Sequence, residues 1–155
     1  MFTETGFPPT TLGSDSFELI YLNSVFSHLP EEMHWALLKE FRRLLVPGGM
    51  LIATTWGRDF IEWCDSIRKD PKLEEKSAWQ KVLAARIFKN QHAALSAYDT
   101  ENFCFESHDG QGRYGEACIP KGYVQRRWPE ILEVCDYIDD RKTCVQNVIV
   151  ARKRN

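Results

Sequence analysis

Two periodicities alternate along this chain, and their order gives the architecture. Residues 17–26, FELIYLNSVF, are apolar, β-branched and aromatic, with Glu18 as the one charge. That composition predicts a strand buried on both faces, as in a parallel sheet. The preceding GFPPTTLGSDS is Pro, Gly and small polar residues, and is a loop. Residues 30–45 then switch to helical spacing: Leu37, Leu38, Phe41, Leu44 and Leu45 fall on one face. Pro30 suits a first helical position. Glu31 and Glu32 at one end, with Arg42 and Arg43 at the other, complement the helix dipole. Pro47-Gly48-Gly49 stops the helix, and residues 50–56, MLIATTW, predict the next strand. Residues 17–56 therefore form a strand–helix–strand unit, with parallel strands and a right-handed crossover.

Downstream the pattern is less regular. Residues 58–99 are helical in character, with one stripe at Phe60, Cys64 and Ile67 and another at Trp79, Val82, Leu83 and Phe88. Asp70-Pro71 divides them. Residues 100–120 have no clear period, and Gly110, Gly112 and Gly115 mark turns. Residues 123–128 suit a helical turn stopped by Pro129. Residues 131–138 (ILEVCDYI) and 144–151 (CVQNVIVA) predict strands joined by DDRKT, residues 139–143, as an antiparallel hairpin. The expected strand order is 17–26, 50–56, 144–151, 130–138. No internal repeat or low-complexity segment is present, and the basic tail ARKRN is a solvated end.

Length and charge narrow the classes. A chain of 155 residues allows one core and one domain. Its 20 Lys+Arg against 22 Asp+Glu argue against a general nucleic-acid binder. No apolar run approaches the roughly 20 residues of a membrane span, and MFTETGFPP has no signal-peptide character, so a cytoplasmic location is expected. The five cysteines, Cys64, Cys104, Cys118, Cys135 and Cys144, form no CxxC pair and no zinc spacing with histidine. They are expected to be reduced and buried, and no metal site is expected.

The stretch SFELIYLNSVFSHL, followed by an amphipathic helix ending FRRLLVPGGMLIAT, resembles the middle of a class I S-adenosylmethionine-dependent methyltransferase. In that family these are the fourth strand, the following helix and the fifth strand. YGEACIPKGYVQRRWPEILEVCDYI with QNVIVARK resembles the final strand pair of a small-molecule branch. The likeness is strong over residues 8–57, moderate over 113–153 and weak between. It implies an α/β fold: a partial Rossmann-like sheet of family strands 4-5-7-6 with helices, the last two strands an antiparallel hairpin. It also implies a single incomplete domain over residues 1–155, with 58–120 as a helical or irregular insertion covering the acceptor. The family's glycine-rich loop after the first strand and acid after the second have no counterpart here. Gly48-Gly49 lies between a helix and a strand and is no substitute. The resemblance thus implies a C-terminal half-domain.

By the same resemblance Asn23, at the carboxyl end of the fourth family strand, sits where the methionine part of S-adenosylmethionine passes, with Leu22 and Ser24 as secondary candidates. Asn23 closing a strand-to-helix turn is the plainer alternative. His28 could take a proton from an acceptor hydroxyl or amine, or simply bond at the helix start. His34, His92 and His108 are not expected at the site. Trp63, Trp79, Tyr98 and Tyr114 could line an acceptor pocket, although aromatic stripes more often pack a core.

The function expected from this reading is methyl transfer from S-adenosylmethionine to a small-molecule O, N or C acceptor, by a fragment of such an enzyme. The alternatives are a non-catalytic methyltransferase-like subunit docked on a complete partner, and half of another nucleotide-binding domain such as a dehydrogenase. The terminal hairpin favours the methyltransferase. Neither nucleic acid nor membrane is expected as a partner. Strand 17–26 lacks Lys and Pro as edge protection, so self-association or a partner chain is expected along it.

Overall fold

A computed structural model describes residues 8–155. The elements are β1 (Phe17–Leu22), α1 (Glu31–Leu44), β2 (Leu45–Thr55), α2 (Arg58–Arg68), α3 (Ala78–Arg86), α4 (Gln91–Asp99), β3 (Cys104–Ser107), β4 (Gly115–Cys118), α5 (Lys121–Arg127), β5 (Glu133–Ile138) and β6 (Asn147–Arg152). The main sheet has the order β1-β2-β6-β5, and β3 and β4 form a separate two-stranded sheet. β1 pairs with β2 in parallel, while β6 runs antiparallel to both β2 and β5. The expected strand order and the terminal hairpin are both present.

β1 ends at Leu22, four residues before the expected limit. Phe26 is fully buried against His34 and Trp128, so the chain must turn inward to deliver it. Ser24 makes the turn in the left-handed region (φ 58), which breaks the ladder, and residues Phe26–His28 form a 3-10 turn. β2 starts earlier than expected, at Leu45 opposite Phe17, with the left-handed Gly48 (φ 79) inside it. The glycine pair therefore bends a strand already begun. β5 starts two residues later than its apolar run and ends with it at Ile138, while β6 starts three residues later than its run, so their connection is longer than DDRKT.

The hydrophobic positions of α1 and α5 cover one face of the sheet. Leu37 and Leu38 of α1 and Tyr123 and Val124 of α5 bury against Leu51, Ala53, Ile149 and Ala151. The other face carries Leu19, Tyr21, Met50, Ile52, Val148 and Val150, all exposed or half-buried. Leu19 is 54% exposed and Tyr21 62%. β1 is a sheet edge among the described residues. Residues 8–16 do not pair with it and are instead tied to α1. Thr10 donates to Glu40 at 2.7 Å, and Arg43 donates to Glu40 at 2.5 Å and to the Leu12 carbonyl at 2.9 Å. Arg43 first, and Thr10 after it, hold the Glu40 carboxyl down at about 2.

The 58–99 segment forms three helices whose apolar faces make a second core. Phe60, Ile61, Cys64 and Ile67 of α2 meet Leu83, Ile87 and Phe88, with Cys104 and Cys118 from the small sheet. A capping box at Ser77 and Gln80 starts α3. The β3–β4 hairpin fills a segment that showed no period, because its two strands are only four residues each and its turn spends Gly110 and Gly112 at positive φ. Among the described residues no helix is long and apolar enough to cross a membrane.

Candidate functional site

The carboxyl ends of β1 and β2 open into a cleft of about 360 Å³ on the bare side of the sheet, lined by Tyr21, Asn23, Ser24, Thr54, Trp56 and Gln146 among others. Ligands of open α/β sheets bind beyond the carboxyl ends of the strands, and this cleft lies there. Its floor is a closed polar circuit. The Ser24 N–H donates to Thr54 Oγ1 at 2.8 Å, Thr54 donates to Gln146 Oε1 at 2.5 Å, and Gln146 Nε2 donates to Ser24 Oγ at 3.2 Å. That circuit holds Ser24 in its left-handed conformation. Asn23 is exposed at the rim. Leu22 does not line the cleft; its side chain turns to the other face and packs on the main core, as the alternation of a strand requires.

The turn after β1 carries His28 to a second group of residues. Its Nδ1 lies 2.9 Å from the Gly115 carbonyl. A carbonyl only accepts, so Nδ1 bears a proton, and in the neutral ring Nε2 keeps its lone pair. Nε2 faces Ser24 Oγ at 3.4 Å, which links the ring to the cleft floor. Behind it stands Glu116, with 0% of its side chain exposed, whose Oε2 is 3.3 Å from Nδ1.

Glu116 is the centre of this arrangement. Oε2 also accepts from Trp56 Nε1 at 2.6 Å. Oε1 accepts from Trp79 Nε1 at 3.2 Å and faces His108 Nε2 at 3.0 Å. A buried carboxylate is tolerable only when its lone pairs are filled, and the N–H groups of Trp56, Trp79 and His108 fill these, with His28 Nδ1 close by. Burial alone would lower the pKa of His28, but the Glu116 hydrogen bond and charge, with the Gly115 carbonyl, outweigh it and raise the pKa. Tyr114 stacks on His28 at 5.1 Å and meets His108 edge-on at 5.4 Å. Gly115 cannot carry a side chain, because a Cβ there would overlap the Glu106 carbonyl across the hairpin.

The expected residues are sorted by this geometry. Asn23 and Ser24 line the cleft, and His28 is bonded to its floor. His108 was not expected here, yet it shares the carboxylate with His28; the hairpin that brings it back had no sequence signature. His34 is fully buried, accepts at Nε2 from Trp128 Nε1 at 3.0 Å, and lies away from the cleft. Burial drives its pKa down to about 3. Trp63 and Trp79 meet at 5.4 Å on a surface cleft. Tyr98 is instead packed against the helical core and Tyr114 covers His28. Glu116 itself escaped sequence reasoning, since a lone Glu in a glycine-rich segment gives no sign of burial.

Of the cysteines, Cys64, Cys104 and Cys118 are buried as expected, whereas Cys135 is exposed and Cys144 half-buried; all five are free. Burial raises the pKa of Cys64 to about 12 and of Cys104 to about 11, which removes thiolate character. No cluster of three or more metal-ligating side chains occurs among the described residues.

The Methyltransferase domain family matches residues 6–53, which span β1, α1 and most of β2. Among solved structures the chain is similar to a SAM-dependent methyltransferase from Methanosarcina mazei, with 16% identity over 93% of this chain and 62% of that one, and a TM-score of 0.47. It is also similar to human N-acetylserotonin methyltransferase in complex with SAM, with 16% identity, 89% and 30% coverage and a TM-score of 0.45. A possible exported protein from Bordetella parapertussis gives 17% identity, 93% and 41% coverage and a TM-score of 0.48. The chain therefore spans less than two thirds of each of these structures. No curated protein matches the sequence.

Proposed function

We propose that this chain, whose residues 6–53 match the Methyltransferase domain family, contributes the strand-end wall and the proton acceptor of a methyl transfer from S-adenosylmethionine to a small-molecule hydroxyl or amine. The observation that carries the reading is the fixed orientation of His28: Nδ1–H is committed to Gly115, backed by Glu116, while Nε2 faces the cleft floor through Ser24.

The cleft suits one end of the cofactor. Asn23 offers an amide at the rim, whose N–H and C=O match the carboxylate and amino groups of a methionine moiety. Among the described residues no carboxylate lines this cleft to receive a ribose diol, and no glycine-rich loop follows a strand into a helix. The chain thus supplies one wall of a site, consistent with a partial domain. When bound, S-adenosylmethionine supplies a methyl group already activated by its sulfonium. What remains for the protein is positioning, which can supply much of the acceleration, and removal of a proton from the acceptor. His28 Nε2 accepts that proton through the Ser24 hydroxyl, which passes its own hydrogen to Nε2 and takes the acceptor's, and the resulting imidazolium is stabilised by the buried Glu116 carboxylate.

The test is transfer of labelled methyl from S-adenosylmethionine to a panel of small phenols and amines, comparing the native chain with His28→Asn. The substitution is expected to lower transfer by about 10²–10⁴-fold for acceptors that must lose a proton. Equal rates in both chains across pH 6–9 would remove His28 from the mechanism.

A second reading, a non-catalytic subunit seated on a complete partner, is favoured by the bare sheet face and the β1 edge. Absence of transfer by the native chain alone, with recovery on adding a partner chain that covers β1, would select it.

A further inference from the structure

Beside the polar cleft, and sharing Trp56 and Val145 with it, lies a second cleft of about 460 Å³ lined by Trp56, Asp59, Phe60, Trp63, Trp79 and Val145. We propose that this aromatic cleft binds a planar, uncharged, one- or two-ring aromatic molecule. Its role as the acceptor subsite rests on the methyl-transfer reading above.

Four observations carry the proposal. The first is chemical. The lining is aromatic and aliphatic apart from Asp59, and the Asp59 carboxylate is taken by Arg141. A charged or strongly polar ligand would find no free partner there and would lose its hydration.

The second is that the walls are pinned. Trp56 and Trp79 come from different elements, yet both direct their indole N–H groups to the same buried carboxylate, Glu116. Trp56 also stacks on Phe60 at 4.3 Å and 10°. Side chains anchored at their polar tip present their ring bodies at a fixed orientation, so little conformational entropy is left to lose on binding.

The third is exposure. Trp63 and Trp79 keep 37% and 39% of their surface in water, and Val145 keeps 80%. The fold does not use these surfaces for its own core, which is made by the opposite sides of α2 and α3. The Trp63 and Trp79 indoles, in contact at 5.4 Å and 43°, form an angled aromatic surface on which a flat ring lies with offset or edge contacts. The volume lies within the roughly 300–1,000 Å³ usual for small-molecule sites.

The fourth is position. Because Trp56 is a wall of both clefts, a ring held here lies against the polar cleft at the end of β1 and β2. Glu116, which fixes His28, fixes these indoles as well, so one buried side chain sets the register between the ring-binding surface and the proton acceptor. Glu116 is in this sense a positioning residue.

The test uses 2-naphthol as the probe, added to the native chain without cofactor and followed by the indole N–H resonances of the five tryptophans. Trp56, Trp63 and Trp79 are expected to shift together on one saturable curve, while Trp35 and Trp128, in the other core, stay fixed. Trp63→Ala and Trp79→Ala, at partly exposed positions, should each weaken binding by about tenfold. Leu19→Ser on the bare sheet face should leave it unchanged. No saturable shift at Trp63 and Trp79 would overturn the proposal, and so would an affinity insensitive to both tryptophan substitutions. A shift that grows with protein concentration and without probe would assign the cleft to a second copy of the chain, and would equally overturn it. Because the experiment contains no cofactor, failure of S-adenosylmethionine to bind or react counts against the methyl-transfer reading alone.

Discussion

Replacing Glu116 by Gln keeps the shape of the buried side chain and removes its charge, which isolates what the carboxylate does. Three N–H groups bond to its two oxygens, and His28 Nδ1 lies 3.3 Å from one of them. An amide can accept at one oxygen only, so its NH2 must face donors that the carboxylate had satisfied. The cheaper orientation keeps the carbonyl on Trp56, whose bond is the shortest at 2.6 Å; it strands the Trp79 indole N–H and obliges His108 to move its proton to Nδ1 before Nε2 can accept from the amide. Both are partly exposed and can turn toward water, which caps the loss. Two hydrogen bonds to a charged group are worth about 1.5–3 kcal/mol each. With partial rehydration we expect about 2–4 kcal/mol lost from a total of about 5–15 kcal/mol. The pH dependence gives a sharper signature. His28 has a raised folded pKa, so its stabilisation is complete below the unfolded value of 6.5 and fades as pH rises through the folded value. Without Glu116 the largest remaining influence is burial, which lowers the pKa. The stability gap between native and Glu116→Gln chains should therefore be wider at pH 5.5 than at pH 8. Urea unfolding at both pH values, with the His28 ring titrated by NMR, measures this. A gap independent of pH, or a His28 midpoint that stays put or rises in the variant, would refute the assignment of Glu116 as the cause.

His34 should behave in the opposite sense: with its folded pKa driven down to about 3 by burial, its stabilisation is present above 6.5. It is lost by up to about 1.4 kcal/mol per pH unit as pH falls toward 3. Its ring resonances should stay those of a neutral imidazole from pH 7 to pH 5, and a midpoint near 6 would contradict its burial. A thiol reagent in the folded state should label Cys135 and Cys144 rapidly and leave Cys64, Cys104 and Cys118 protected until unfolding; fast labelling of a third thiol would show that the helical core opens. Light scattering over a range of concentrations should show association through the β1 edge, reduced by Tyr21→Lys, since charge on an edge strand opposes pairing. A native chain that stays monomeric at high concentration would rule the edge out.

The parts of the fold that were legible in the sequence are those where one period persists. α1 kept its apolar stripe and both charged ends within one residue of the expected limits, and the β1–α1–β2 unit and the β5–β6 hairpin followed from it and from the apolar runs. The limits failed where tertiary packing overrides local pattern. Residues 23–26 look like continued strand, but burial of Phe26 demands a turn at Ser24. The site was legible only on its strand-end side. Asn23, Ser24 and His28 follow a strand whose end can be located. Glu116 and His108 lie on a hairpin too short to show alternation, and their meeting with His28 spans some 80 residues of sequence, a contact that no local pattern encodes. Trp56 and Trp79 show as apolar positions, and nothing in their spacing tells that one carboxylate collects both N–H groups.

Among the described residues the sheet is clothed on the α1 and α5 side and bare on the other, and this has a calorimetric consequence. A chain of 155 residues of ordinary burial unfolds with a heat-capacity increment of about 2 kcal/mol/K. Here Leu19, Tyr21, Met50, Ile52, Val148 and Val150 are already at least partly hydrated before unfolding, so their share is missing and the increment falls below that value. The stability curve is correspondingly flatter, with less penalty on cooling. Whatever covers that face restores the missing share as a negative heat-capacity change of association. The temperature dependence of a binding enthalpy would then report how much of the bare face a given partner occupies.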